Sequence, residues 1–117
     1  MTEAVVLYTT WPDEESAEAF AAEAVADRLA ACANILGPMR SVYRWQGAVD
    51  RAAEVPMLLK TARARAAALI DRLNARHPYE LPCAVALQID AAASSPDFLA
   101  WIAAESGPPA GDADERP

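Results

Sequence analysis

The residues able to carry chemistry are few, and their types set tight limits. His77 is the one histidine, so H-E-x-x-H and Cys₂His₂ zinc motifs are excluded outright. Cys32 and Cys83 are the only cysteines, too few for a disulfide framework or an all-cysteine metal cage within one chain. Both are expected as small buried residues, with soft metal ligation as the alternative. His77 lies one turn after Leu73 and just before Pro78. The simpler expectation is a helix C-terminal residue bonding to the last carbonyls; the functional one is a metal ligand or proton carrier.

Tyr43, Trp45, Tyr79 and Trp101 could line a pocket together with Glu54 and Lys60, or the aromatics could pack an interface between copies. Lys60 stands in an otherwise apolar run. A buried ammonium needs a carboxylate or an anionic ligand, and Glu54 is the candidate partner. Catalysis finds little support. Gly37, Gly47, Gly107 and Gly111 form neither a dinucleotide fingerprint nor a P-loop, and no nucleophile has a base set by a motif. Asp13, Glu14 and Glu15 cluster where a helix start favours negative charge. The expectation is a protein that is not an enzyme.

Several elements must position these groups. Ala4 to Thr10 reads as a buried strand, ended by Trp11-Pro12. Asp13 caps a helix whose apolar spacing continues to about Ala31. Ala33 to Met39 is apolar again, broken by Gly37-Pro38. Ser41 to Trp45 alternates, placing Ser41, Tyr43 and Trp45 on one face. Gln46-Gly47 is a hairpin turn, and the return strand runs from near Val49 to Thr61, with Pro56 marking an edge or bulge. Arg63 to Arg76 is a second helix that must stop before Pro78. Pro82 starts a last strand with Cys83, Val85, Leu87 and Ile89 on one face. Ser95-Pro96-Asp97 opens a short third helix carrying Phe98, Trp101 and Ile102. The order β-α-β-β-α-β is the split βαβ, ferredoxin-like arrangement: an α+β fold with an antiparallel sheet and an extra C-terminal helix.

These segments resemble a known family, the CutA1 divalent-cation tolerance proteins. The resemblance is carried by Leu29-Ala-Ala-Cys-Ala-Asn-Ile35, Ser41-Val-Tyr-Arg-Trp-Gln-Gly47, Glu54 through Lys60-Thr61, His77-Pro-Tyr-Glu80 with Pro82, and Phe98-Leu99-Trp101-Ile102. It covers residues 4 to 104 in unbroken order. It implies a homotrimer in which long hairpins reach across to neighbours, and a link to divalent metals, copper above all; a cytoplasmic setting is expected separately, from the few cysteines and the lack of a signal or span. The family's copper site implies a cysteine near the end of the first strand and a His-His pair before Pro-Tyr. Here those positions hold Tyr8 and Arg76-His77, so only His77 remains. A phenol for a thiolate and a permanent cation for an imidazole weaken a copper site of that design. Cys83 stands where an acid often follows the second proline. The resemblance therefore implies weak binding of a divalent ion, Cu or Zn. The alternative is a trimeric module like the PII signalling proteins, binding a small metabolite in intersubunit clefts. A further alternative is an enzyme using His77, Lys60 and Tyr79.

Composition agrees with a single domain of 117 residues. Of its 63 hydrophobic residues 29 are alanines, so the core is modest and contacts between copies would help complete it. A net charge of −7 argues against wholesale nucleic-acid binding. Residues 105–117 are rich in Pro, Gly and acids and are expected to be a disordered tail after a domain spanning 1–104. No membrane span and no cleaved signal are expected.

Overall fold

A computed structural model of the chain describes residues 3–107. Its elements are β1 (Ala4–Trp11), α1 (Glu14–Ala26), β2 (Cys32–Ile35), β3 (Met39–Trp45), β4 (Ala48–Ala62), α2 (Ala66–Arg76), β5 (Ala84–Gln88) and α3 (Pro96–Ser106). A single 3₁₀ turn at Arg63–Arg65 leads into α2, and another at Ala91–Ala93 precedes α3. The sheet is antiparallel throughout, in the order β2-β4-β1-β5, with β3 also paired to β4.

One face of this sheet carries the core. Leu7 and Trp11 of β1 and Met57 and Leu59 of β4 meet Ala17, Phe20 and Ala24 of α1 and Leu69 and Leu73 of α2. The alanines of α1 let its backbone lie close to the sheet. Each buried leucine-sized side chain contributes roughly 1.5–3 kcal/mol. Within this core Thr9 hydroxyl donates to the Met57 carbonyl at 2.9 Å and accepts from Trp11 Nε1 at 2.8 Å.

The other face is less covered. Paired registers place Val6, Tyr8, Leu58, Lys60, Val85 and Leu87 on one side. Val85 and Leu87 are about half exposed, at 51% and 48%. The apolar stripe expected to bury β5 thus points away from both α1 and α2. Helix α3 covers only one end, seating Leu99 and Ile102 on Ala4 and Ala31.

Helix α1 closes earlier than its apolar spacing suggests. The chain turns at Arg28, whose φ of 61° is left-handed. The amides of Leu29 and Ala30 both donate back to the Ala24 carbonyl, at 2.9 and 3.2 Å. Leu29 and Ala30 remain buried, but as part of a turn rather than a helix. The same turn aims Arg28 at the far end of α3, where Nε donates to the Gly107 carbonyl at 2.7 Å and a terminal nitrogen donates to the Ala104 carbonyl. A cation there complements the negative end of that helix.

Helix α3 itself starts as its sequence directs, with the Ser95 hydroxyl accepting from the Phe98 amide at 3.3 Å. It runs through Ser106, past the boundary expected at residue 104. Ser106 is fully buried and its hydroxyl accepts from the Ala62 amide at 2.9 Å. The remainder of the expected tail, residues 108–117, lies outside the described residues.

The hairpin matches its turn chemistry: Gln46 and Gly47 take φ values of 51° and 85°, as a two-residue turn of primed type requires. Strand β4 is long because it changes partner. Its first half pairs with β3 and its second half with β1 and β2. Pro56 is therefore not at an edge; it lies where β3 gives way to β2, and its carbonyl accepts from the Leu36 amide at 3.0 Å. The β3–β4 arm projects from the body, giving a molecule 56 Å long against 31 and 24 Å in the other directions. Among the described residues no helix is long and apolar enough to cross a membrane.

Candidate functional site

Where the hairpin arm leaves the body, it forms a cleft of about 400 Å³ with the segment that follows α2. Thr10, Tyr43, Trp45, Ala52, Glu54, Tyr79 and Glu80 line it. The hairpin supplies most of the wall because register forces it to. Met39 pairs with Glu54, Ser41 with Ala52 and Tyr43 with Asp50, so Tyr43, Trp45, Ala52 and Glu54 share one face. The arginines of the arm fall on the opposite face, through the pairs Arg40–Ala53, Val42–Arg51 and Arg44–Val49.

Tyr79 joins the cleft to the core. Its hydroxyl donates to Glu54 Oε2 at 2.9 Å. Burial, followed by that bond and the surrounding negative charge, pushes its phenol up to about 12. The Tyr79 backbone amide in turn donates to Nδ1 of His77 at 3.1 Å, and His77 Nε2 donates to the Thr10 carbonyl at 2.8 Å. These two bonds define a neutral ring with its proton on Nε2. The imidazole is 8% exposed and packs on Trp11 with ring centroids 4.1 Å apart. Burial lowers its pKa, against the smaller opposing pull of the Thr10 carbonyl and Glu54. His77 bonds back to α2 through its backbone amide, which donates to the Leu73 carbonyl at 2.8 Å, while its ring reaches across to β1.

The residues singled out in the sequence separate into two places. Tyr43, Trp45, Glu54 and Tyr79 come together. Lys60 and Trp101 do not join them. Lys60 Nζ lies 5.5 Å above the Phe98 ring, and Phe98 stacks on Trp101 at 5.4 Å. The expected Glu54–Lys60 pair does not form, since six residues of extended β4 separate them while Tyr79 takes the carboxylate. Lys60 is only partly buried, so water and an aromatic face suffice for its charge. Thr10, Ala52 and Glu80 were missed. Ala52 and Glu80 were within reach, one through the alternation of the hairpin and the other as the neighbour of Tyr79.

The three positions where the resemblance implies copper ligands, Tyr8, Arg76 and His77, are engaged elsewhere. The Tyr8 hydroxyl faces Met39 Sδ at 3.8 Å. Arg76 Nε binds both oxygens of Glu23 at 3.1 Å, beside Arg72, which holds Glu23 and Asp27. His77 has its Nδ1 lone pair taken and its Nε2 protonated. Among the described residues no group of three or more His, Cys, Asp or Glu side chains is arranged to hold a metal ion. Cys83 and Cys32 are free and half-buried, and burial pushes the Cys83 thiol up.

An antiparallel sheet with two helices on one face, a projecting hairpin and a third helix across the other end defines a ferredoxin-like α+β protein. Comparison with known proteins narrows this. A family profile described as CutA1 divalent ion tolerance protein matches residues 5–105. The Divalent-cation tolerance protein CutA of Salmonella newport is 41% identical over 100 residues, covering 86% of this chain and 85% of that one. Among solved structures, the divalent cation tolerance protein Cut A1 of Thermus thermophilus superposes with a TM-score of 0.85 at 38% identity, covering 89% of this chain and 99% of that one. CutA of Xylella fastidiosa gives 0.80 at 40% identity, with 85% and 93% covered. The Periplasmic divalent cation tolerance protein CutA of Archaeoglobus fulgidus gives 0.80 at 35% identity, with 85% and 94% covered. The chain belongs to the CutA1 divalent ion tolerance family.

Proposed function

We propose that this CutA1-family protein serves divalent-cation tolerance as a homotrimer, by binding rather than by catalysis. The half-exposed apolar side of the sheet, with Val85 and Leu87 on its edge strand β5, is the observation that carries the trimer reading. So is the projecting hairpin, whose Val42 and Val49 are 63% and 57% exposed. Apolar surface and unpaired strand edges of this kind favour association with other copies.

A divalent cation, Cu or Zn, is held weakly and is drawn by Glu54 and Glu80 rather than by His77. In our reading His77 is a structural residue that ties α2 to β1. Among the described residues the cleft has no basic side chain, which disfavours the phosphorylated metabolites of a PII-like module. The enzyme alternative needs Lys60 beside His77 and Tyr79, and Lys60 lies against α3 instead. We place the protein in a reducing compartment, the cytoplasm, where two unbonded thiols persist.

Calorimetry tests the binding reading. Titrating the purified protein with Zn²⁺, Cu²⁺ and a panel of nucleotides is expected to give weak metal heat and none from nucleotides. Glu54→Gln should reduce the metal heat and His77→Phe should leave it. Tight nucleotide binding would overturn this reading, as would metal binding lost only with His77.

A further inference from the structure

The lining of the cleft has a chemistry that a metal site does not need. Three aromatic rings, Tyr43, Trp45 and Tyr79, stand around two carboxylates, Glu54 and Glu80. No Lys, Arg or His is among the lining residues, and the arginines of the hairpin are on its other face. Neither Glu54 nor Glu80 takes part in an ion pair among the described residues. The Tyr79 hydroxyl fixes Glu54 through Oε2 and leaves Oε1 without a hydrogen-bonding side chain among the described residues. The cleft is thus an electronegative recess with aromatic walls, of a size that suits a small organic molecule.

We propose that this cleft binds a small organic ammonium ion, a quaternary or alkylated amine, between the aromatic faces and the two carboxylates. The physical preference follows from hydration. A divalent metal holds its water tightly and seeks several oxygen or nitrogen ligands, and aromatic carbon supplies none. An alkylammonium is weakly hydrated and spreads its charge over methyl groups. Ring faces attract it through the negative charge at their centres, more strongly where water is excluded. Carboxylates add charge without needing coordination geometry. Anions are repelled by the two carboxylates. This inference competes with the metal reading above for the same two carboxylates, and the test below separates them.

The test compares two probes of nearly the same shape. Choline carries a trimethylammonium head, and 3,3-dimethylbutan-1-ol replaces its nitrogen by carbon and is neutral. Calorimetric titration of the intact oligomer is expected to show choline binding at least tenfold tighter than the alcohol. Glu54→Gln should weaken choline at least fivefold without changing the alcohol, whereas Glu23→Gln, outside the cleft, should change neither. Trp45→Leu should also weaken choline, with Trp45→Phe recovering part of the loss. If Trp45→Leu fails to assemble, the probe comparison and Glu54→Gln still decide. Equal binding of the two probes would reduce the cleft to an apolar recess and overturn the proposal. Absence of choline heat would overturn it too, as expected if a neighbouring copy fills the cleft. Zn²⁺ titrated in parallel separates the readings: choline without metal heat sinks only the metal proposal, and metal without choline heat sinks only this one.

Discussion

Replacing His77 by Phe separates a structural histidine from a metal ligand. The substitution keeps an aromatic ring against Trp11, where the centroids are now 4.1 Å apart. It removes two hydrogen bonds, one to the Thr10 carbonyl at 2.8 Å and one from the Tyr79 amide at 3.1 Å. Thr10 is 9% exposed, so its carbonyl loses a partner with little access for water. Leaving a buried polar group unpaired costs about 1–3 kcal/mol. Tyr79 is only part-buried, so its amide takes the low end of that range. Together the loss should be about 2–4 kcal/mol. The assay is guanidinium unfolding of metal-free protein at pH 7.5 and one fixed chain concentration, since the proposed assembly would make apparent stability concentration-dependent. A lower midpoint with metal heats intact is the expected outcome. An unchanged metal-free midpoint combined with lost metal binding would refute the reasoning and make His77 a ligand.

Three further outcomes follow from the same contacts. Stability should fall as pH drops below about 6.5. Burial keeps folded His77 neutral while the unfolded chain takes up a proton, so the loss begins at the unfolded pKa and ends below the folded one; His77→Phe should flatten that part of the profile. Ser106→Ala removes the acceptor of the Ala62 amide and should cost about 1–3 kcal/mol, read also as faster hydrogen exchange at Ala62. Lys60→Met loses only a contact above Phe98 and should cost about 1 kcal/mol or less in guanidinium unfolding.

Much of the fold was legible because local chemistry is strong where it matters. Asp13 and Ser95 cap their helices as their types suggest, and Gln46-Gly47 turns the hairpin. Alternation placed Tyr43 and Trp45 on one face, which half-defined the cleft. What failed had long-range causes. Leu29 and Ala30 keep helical spacing yet are buried in a turn, since the core accepts them in either form. Apolar alternation in β5 could not say which side of the sheet it faced. A strand with a half-exposed apolar face can look, in sequence, like a strand inside a core. The Glu54–Lys60 pairing assumed that Lys60 was deeply buried. The hydroxyl of Tyr79, distant in sequence, takes Glu54 instead.

In our proposal a protomer with a half-exposed sheet face and a projecting hairpin is completed by two more copies. Light scattering coupled to size exclusion, at micromolar chain concentration, addresses it directly. One species at three times the 12.5 kDa chain mass, persisting on dilution, is expected. A species of one chain mass, folded and soluble with Val85 and Leu87 open to water, would contradict it.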